Sequence, residues 1–290
     1  MPTLLSLGHG YSARALSRLL IPEGWRVIGT TRSAEKADAL RGDGIEPVLF
    51  PGGDMESALG EATHLLSSVA PTEEGDPVLN ALGGAIADAA PHIRWAGYLS
   101  TIGVYGDRRG GWVDEDSALR PATRRGELRV DAEAAWRAVP DLPLHVFRIA
   151  GIYGPGRGPF QKIRRGTARR IVKEGQVFGR IHVDDIARAL KASMNSPSPG
   201  LVVNLTDDEP APPEDVIAHA ADLLGVPRPP VIPFAEADLS PMARSFYAES
   251  KRVRNDRLHA LMGPLRHPTY REGLAAILAA EEARAEEPQA

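Results

Sequence analysis

The sequence contains no cysteine, and this absence removes several classes of protein from consideration. Disulfide-stabilised folds, thiolate zinc sites and cysteine nucleophiles all need the missing side chain. No apolar run is long enough to cross a bilayer, and the chain does not start with the basic segment that opens a signal peptide. Neither H-E-x-x-H nor a recognisable Ser-His-Asp arrangement occurs, so we expect no metal site and no hydrolase.

A strong charge bias is also missing. The 34 Lys and Arg residues against 38 Asp and Glu give a formal net charge of −4, so nothing attracts nucleic acid to the chain as a whole. The 290 residues, 43% of them hydrophobic, suffice for one large or two small globular domains. We expect a cytoplasmic protein with a small-molecule substrate, phosphorylated ones included, and no nucleic-acid or membrane partner; a homodimer is compatible with this composition.

The most informative stretch lies at the amino terminus. An apolar run over residues 3–7 leads into the turn G-H-G-Y-S-A, and a helical pattern follows. A G-x-G-x-x-A turn between a strand and a helix is typical of dinucleotide binding, because it admits a pyrophosphate close to the backbone and to the helix amides. The residues expected to contact the cofactor there are Gly8, Gly10, Tyr11, Ser12 and Ala13.

The end of the second predicted strand bears on the choice between NAD and NADP. NAD-binding units carry an acidic residue about 20 positions after the glycines, whereas this strand ends in Thr31, Arg32 and Ser33. A guanidinium pairs well with a 2′-phosphate, and Ser33 adds a hydrogen bond. We therefore expect NADP as the cofactor, with NAD as the alternative. Arg32 is otherwise a solvated charge or a group that stacks on the adenine.

Later strand ends add further cofactor contacts. Asp54 follows the third predicted strand, where it lies beside the adenine or merely caps the next helix. Val69, Ala70 and Pro71 end the fourth predicted strand and turn over the cofactor site. Ser33 is also the predicted N-cap of a helix over residues 34–40.

The alternation of strands and helices defines the expected fold. Strands are predicted at residues 3–7, 25–30, 45–50, 63–70 and 95–101, with helices between them. This pattern predicts an α/β fold, a Rossmann-type doubly wound parallel sheet over residues 1–154.

The remaining residues are expected to form a second unit. Residues 181–206 are predicted to return to the sheet, while residues 155–180 and 207–280 form a smaller α+β substrate-binding lobe. Within that lobe the proline-rich residues 227–233 are predicted to be a loop. Residues 234–244, 253–262 and 271–282 are predicted helices, and residues 281–290 a frayed tail.

Several segments resemble those of one known family, in the family's order. Residues 100–106, S-T-I-G-V-Y-G, resemble its S-S-x-x-V-Y-G loop; residues 148–155, R-I-A-G-I-Y-G-P, resemble its R-x-x-x-x-Y-G-P strand end; residues 180–187 resemble its H-V-x-D-x-A helix start. The chain thus resembles the extended short-chain dehydrogenases/reductases, NAD(P)-dependent epimerase/dehydratase-like proteins, and most of all their shorter YeeZ-type branch.

The resemblance implies a function and a set of catalytic positions. It implies an NAD(P)-binding oxidoreductase, epimerase or dehydratase that acts on a sugar nucleotide or another anionic carbonyl or carbinol metabolite, with Ile152 beside the cofactor. In the family a Tyr-x-x-x-Lys pair transfers the proton and a Ser or Thr polarises the substrate oxygen. Thr101 matches the Ser/Thr position, but Arg125 stands in place of the tyrosine and Arg129 in place of the lysine.

The missing tyrosine leaves three hypotheses. Arg129 keeps the lysine's cationic contact with the ribose, but a guanidinium cannot exchange a proton near neutrality, so Arg125 cannot replace a phenol. Another acid/base, with Tyr105 and Tyr153 nearest by motif position, takes over; or Arg125 clamps an anionic substrate; or the chain is a non-catalytic NADP-binding sensor or regulatory module.

Two features of the second half are open to two interpretations each. The basic residues between 162 and 173 either meet substrate phosphates or form a solvated charged face. His182 is either a catalytic candidate or a structural histidine.

Overall fold

A parallel sheet forms the centre of the computed structural model, which describes residues 1–286. The strands are β1 (Thr3–Leu7), β2 (Arg26–Thr31), β3 (Glu46–Leu49), β4 (His64–Ser67), β5 (Trp95–Thr101), β6 (Trp112–Val113), β7 (Leu144–Ile149), β8 (Gly151–Tyr153), β9 (Arg170–Val172), β10 (Arg180–His182), β11 (Val202–Leu205), β12 (Val231–Pro233) and β13 (Arg252–Val253). The helices are α1 (Tyr11–Leu20), α2 (Ala34–Gly42), α3 (Met55–Glu61), α4 (Pro77–Ala89), α5 (Arg124–Arg137), α6 (Phe160–Arg164), α7 (Val183–Asn195), α8 (Pro213–Leu223), α9 (Pro241–Phe246), α10 (Asp256–Met262) and α11 (Tyr270–Glu286).

The main sheet has seven strands in the order β3-β2-β1-β4-β5-β7-β11, and every neighbouring pair is parallel. β1 and β4 are buried at every position, as expected for strands covered on both faces. The order reverses direction at β1, so the sheet is doubly wound. This confirms the predicted Rossmann-type α/β fold.

Alternate residues of each strand point to opposite faces, and each face has its own core. Leu4 joins one hydrophobic cluster with residues of α1 and α7, whereas Leu5 joins another with residues of α3, α4 and α5. Residues 181–206 supply α7 and β11, which cover and extend the sheet. Within residues 1–286 no helix is long and apolar enough to cross a membrane.

A third cluster lies in the second half of the chain. Phe160, Val216 and Leu274, from α6, α8 and α11, pack together there. The prediction of a loop over residues 227–233 is wrong in part, because Val231–Pro233 pair in parallel with β9. A two-stranded ribbon has only edge strands, so prolines are tolerated at positions that donate no hydrogen bond.

Three element boundaries in this half also differ from prediction. The helix predicted over residues 253–262 starts at Asp256, because Arg252–Val253 pair with β6. The helix predicted over residues 234–244 is instead a short 3₁₀ turn followed by α9. Part of the predicted frayed tail is helical, since α11 continues to Glu286; residues 287–290 lie outside the described part of the chain.

A buried ion pair joins α5 to β7. Glu133 is fully buried, and its carboxylate accepts hydrogen bonds from Arg148 Nε (3.1 Å) and Nη2 (2.9 Å) and from Ser100 Oγ (2.6 Å). Arg148 is only 4% exposed, so both charges depend on each other for compensation. The pair therefore fixes α5 against the carboxyl ends of the sheet.

We expect Arg148→Met to lower the free energy of unfolding by about 3–5 kcal/mol, because it leaves the Glu133 carboxylate buried without its cation. Arg137 is the matched control: it also contacts Glu133, at 3.1 Å, but its side chain is 41% exposed, so Arg137→Met should lose less than about 1 kcal/mol. Urea denaturation of both variants measures the difference. Equal losses would show that the buried pair does not anchor α5.

Candidate functional site

A cleft of about 850 Å³ opens at the carboxyl ends of β5 and β7. Thr101 and Ile149 line it from the strand ends, Arg125 and Arg129 from α5, and Tyr247 from the second half of the chain. Ligands of doubly wound sheets bind at this edge. The turn after β1 lies at the same edge of the sheet, and the second half of the chain supplies much of the cleft lining.

The turn after β1 has the shape of an anion-binding site. Gly8 has φ +76°, and a Cβ there would lie 2.8 Å from Val69 Cγ2, so both conformation and space require glycine. A Cβ on Gly10 would meet nothing closer than Gly8 O at 3.7 Å. No side chain caps α1 and its first turn holds no acidic residue. The first helix amides thus have no side-chain acceptor among the described residues and attract negative charge.

Thr30 holds this turn in place. Gly8 N donates to Thr30 Oγ1 (2.8 Å), and His9 N donates to Thr30 O (3.1 Å). The His9 ring packs over β2 at Gly29, where a Cβ would lie 3.0 Å from His9 Cγ. No role was predicted for Thr30 or Gly29 from the sequence. A glycine inside an otherwise apolar strand is the signal that points to such a close approach of a neighbouring group.

Burial lowers the pKa of His9 to about 4, with the nearby Arg14 adding to the effect. His9 Nδ1 has no hydrogen-bond partner among the described residues, so the neutral ring is the form that fits. Below pH 6.5 the unfolded chain takes up a proton that the folded chain refuses, and the folded state loses stability as the pH falls from 6.5 towards 4.

This linkage gives a testable difference. Between pH 7 and pH 4.5, His9→Asn should lose about 1–3 kcal/mol less unfolding free energy than the unmodified protein, because it lacks one group with a depressed pKa. The exposed His92 supplies the control, and His92→Asn should run parallel to the unmodified protein. Denaturant titrations at pH 7, 5.5 and 4.5 measure the slopes. A His9→Asn curve parallel to both others would contradict the linkage.

The positions expected at the adenosine end lie at the ends of β2 and β3. Arg32 is exposed and Thr31 half-buried. Ser33 caps α2, its Oγ accepting from Lys36 N at 3.3 Å, which confirms the predicted N-cap. Asp54 caps α3, since its Oδ1 accepts from Ser57 N at 2.9 Å. Of the two alternatives for Asp54, the structure shows the cap.

Arg129 is held at the strand ends. Its Nη1 donates to Tyr98 OH (2.9 Å), Leu99 O (2.9 Å) and Val69 O (3.4 Å). Gly126 lets α5 come this close, since a Cβ there would lie 3.0 Å from Gly103 O. Arg129 is thus a fixed cation beside the loop that follows β4.

Arg125 lies one turn earlier on the same helix face. It is exposed and lines the cleft, and it has no hydrogen-bond acceptor or carboxylate partner within residues 1–286. Thr101 lies opposite at the end of β5, where its Oγ1 accepts from Gly103 N at 3.1 Å. The Thr101 hydroxyl proton is left to donate to a ligand oxygen.

Tyr105 and Tyr153 do not line the cleft. Tyr105 OH donates to Asn204 Oδ1 (2.7 Å) and accepts from Arg148 Nη1 (3.0 Å), and burial raises its pKa. Tyr153 OH donates to Thr269 O (3.2 Å), and burial raises its pKa strongly. Both hydroxyls are thus engaged outside the cleft: motif position located the residues but not the direction of their side chains.

Tyr247 is the one tyrosine of six that lines the cleft within the described residues. It lies at the end of α9, in a segment that carries no motif, so no sequence signal pointed to it. Its ring is stacked on Phe234 with a centroid distance of 5.0 Å. Burial raises its pKa, and the nearby Glu214 adds to the rise.

His182 has a structural role at the start of α7. Its Nδ1 accepts from Asp184 N at 3.2 Å, and burial lowers its pKa to about 4. His182, Asp184 and His267 offer potential metal-ligand atoms within 4.8 Å of one another, a grouping that the sequence analysis did not expect. The cap already uses His182 Nδ1, and none of the three residues lines the cleft.

The chain is similar in sequence and in fold to several known proteins. No family model matches the sequence. The chain is 59% identical to a conserved protein of unknown function from Silicibacter pomeroyi, with TM-score 0.93 over 97% of this chain and 99% of that one. It is 26% identical to protein YeeZ of Escherichia coli K12 over 220 residues, 71% of this chain and 77% of YeeZ.

Two more solved structures share the fold. A putative NAD-dependent epimerase/dehydratase from Methylobacillus flagellatus is 26% identical, with TM-score 0.72 over 97% of this chain and 98% of that one. Human epimerase family protein SDR39U1, solved with NADPH, is 19% identical, with TM-score 0.76 over 96% and 99%. The fold is thus that of NAD(P)-dependent epimerase/dehydratase-like proteins, and the likeness to YeeZ agrees with the resemblance seen in the sequence motifs.

Proposed function

We propose that the chain binds a nicotinamide dinucleotide, preferably NADP(H), along the carboxyl edge of the main sheet. We further propose that it acts as an oxidoreductase, epimerase or dehydratase on an anionic carbonyl or carbinol metabolite, sugar nucleotides among the candidates. The observation that carries this proposal is the uncapped start of α1 beside the Gly8 turn, at the same edge of the sheet as a cleft lined by Thr101 and Arg129. The fold shared with epimerase/dehydratase proteins and the NADPH bound to the human structure support it.

The residues present fit such a cofactor. Gly10 leaves room for a pyrophosphate, and the α1 amides supply donors of the right polarity. The cofactor, when bound, supplies hydride transfer at the nicotinamide. The groups proposed to hold it are Gly8, Gly10, Tyr11, Ser12, Ala13, Thr31, Arg32, Ser33, Val69, Ala70, Pro71, Arg129 and Ile152.

The side chains in the cleft have separate proposed roles in binding the substrate and the cofactor. Thr101 is proposed to donate a hydrogen bond to the substrate oxygen, and Arg129 to hold the ribose side of the site. Because Tyr105 and Tyr153 are engaged elsewhere, the geometry favours Arg125 as a clamp for an anionic substrate over either phenol as the acid/base. A guanidinium stabilises negative charge there without releasing a proton.

Replacing Arg32 tests the preference for NADP. Arg32→Ala should weaken NADP binding at least about tenfold and NAD binding less than about twofold, because only NADP carries the 2′-phosphate that a guanidinium pairs with. Arg41→Ala, which removes an exposed arginine already paired with Asp38 at 2.5 Å, is the control and should change neither. Calorimetry on the full chain measures both affinities. Equal losses for the two cofactors refute the role of Arg32.

Thr101 tests the reaction. Thr101→Ala should lower kcat about 10²-fold to 10³-fold, the usual effect of losing a donor to a developing oxyanion, while cofactor affinity stays unchanged. Thr101→Ser keeps the hydroxyl and should restore most of the rate. Stopped-flow absorbance of the nicotinamide band against a panel of anionic carbonyl compounds measures turnover.

A non-catalytic NADP sensor is the second candidate, favoured by the absence of a tyrosine from α5. Tight NADP binding without turnover of any compound in the panel would support the sensor. A chain that takes up neither NAD(H) nor NADP(H) in calorimetry would overturn both candidates.

A further inference from the structure

The lining of the cleft is rich in positive charge. Six cations line the cleft, against two carboxylates, Asp238 and Glu249. Glu249 is already paired with Lys251 Nζ at 2.5 Å. Asp238 is exposed. The cleft therefore carries an excess of positive charge that its own residues do not neutralise.

Most of these cations nevertheless already donate hydrogen bonds within the protein. Arg180 Nη1 donates to Phe178 O and Ala211 O, and Arg169 Nη1 donates to Gly166 O and Ala168 O. Arg125 and Lys162 differ, because neither has a hydrogen-bond acceptor within residues 1–286. Arg125 thus presents an unused fork of donors to the cleft, a geometry that matches a carboxylate or a phosphate.

The same cleft is also lined by the aromatic residues Phe178, Phe246 and Tyr247. Tyr247 is held edge-on to Phe178 at a centroid distance of 5.6 Å and stacked on Phe234 at 5.0 Å. Phe246, at the end of α9, remains 54% exposed. Leu239 and Ala243 also line the cleft, so a flat apolar ring finds aromatic and aliphatic partners there.

The geometry points to a substrate that combines one anionic group with a flat apolar body, an aromatic or conjugated carboxylate or phosphate. Its anion lies on Arg125 and its ring covers Phe246 beside Tyr247. This inference rests on the proposed function, because it narrows the anionic substrate of the same site. An aromatic ring against Phe246 gains from stacking and from burial of that exposed side chain, whereas a sugar ring presents less apolar surface to it.

The test is calorimetric titration of the full chain, saturated with NADP⁺, with three probes: trans-cinnamate, phenyl phosphate and UDP-glucose. We expect at least one of the two aryl anions to bind at least about tenfold more tightly than UDP-glucose. Comparison of the two aryl anions identifies whether the site takes a carboxylate or a phosphate. Tighter binding of UDP-glucose, or no binding of either aryl anion, overturns the inference.

Two pairs of variants locate the two contacts. Arg125→Gln should weaken the preferred aryl anion at least about tenfold, whereas Arg124→Gln, one residue away but paired with Glu73 at 2.6 Å, should not. Phe246→Ser should weaken it at least about fivefold, whereas Met242→Ser, at an exposed position of α9 that does not line the cleft, should not. Variants that match their controls overturn the assignment.

The outcome is separable from failure of the proposed function. If the chain takes up no NAD(H) or NADP(H), the proposed function fails. The same probes titrated into the cofactor-free chain then still test the cleft, because Arg125 and Phe246 are positioned by α5 and α9 and not by a cofactor. Binding of an aryl anion under those conditions, lost in Arg125→Gln and Phe246→Ser, would support the inference on its own.

Discussion

The hydrogen bonds from Gly8 and His9 to Thr30 are the constraint on which the site depends. They satisfy the amides of the turn with groups from β2, so the turn is rigid before any ligand arrives. The amides at the start of α1 then have no internal acceptor and no capping side chain. A rigid turn next to unsatisfied donors is what makes this edge of the sheet receptive to an anion, and the bare Gly29 surface under the His9 ring is part of the same arrangement.

The arginines near the cleft fall into two groups, those that make contacts within the protein and those that are left to bind a ligand. Arg148 is neutralised by Glu133 and ties β7 to α5, while Arg129 is bound to carbonyls and to Tyr98 OH at the strand ends. Both fix the position of α5 and neither is released without loss of structure. Arg125, carried by the same helix and exposed, has no carboxylate partner within residues 1–286. The helix thus holds Arg125 in place through the contacts of Arg129 and Glu133.

The sequence predicted the parts of the structure that depend on local chemistry. Hydrophobic runs located five of the seven strands of the main sheet, and the capping preference of Ser33 located α2. Side-chain direction and long-range pairing were not predictable, because they depend on contacts between distant residues. Tyr105 turns into the Arg148 network, Val231–Pro233 pair with β9, and Tyr247 reaches the cleft from a segment without a motif. Periodicity within a segment carries no information about any of these.

Replacement of a phenol by a guanidinium changes which reactions the site can favour. A phenol both donates a proton and leaves negative charge behind, whereas Arg125 can only stabilise charge that is already there or that develops. A proton needed by the substrate oxygen must then come from Thr101, from Tyr247 across the cleft or from water. A site with this limitation gains most from a substrate that arrives as an anion, because binding alone places it. Positioning of the substrate therefore contributes part of the rate that acid catalysis contributes in sites with the phenol. Arg125 supplies one contact for that positioning, and the aromatic residues of the cleft supply the second.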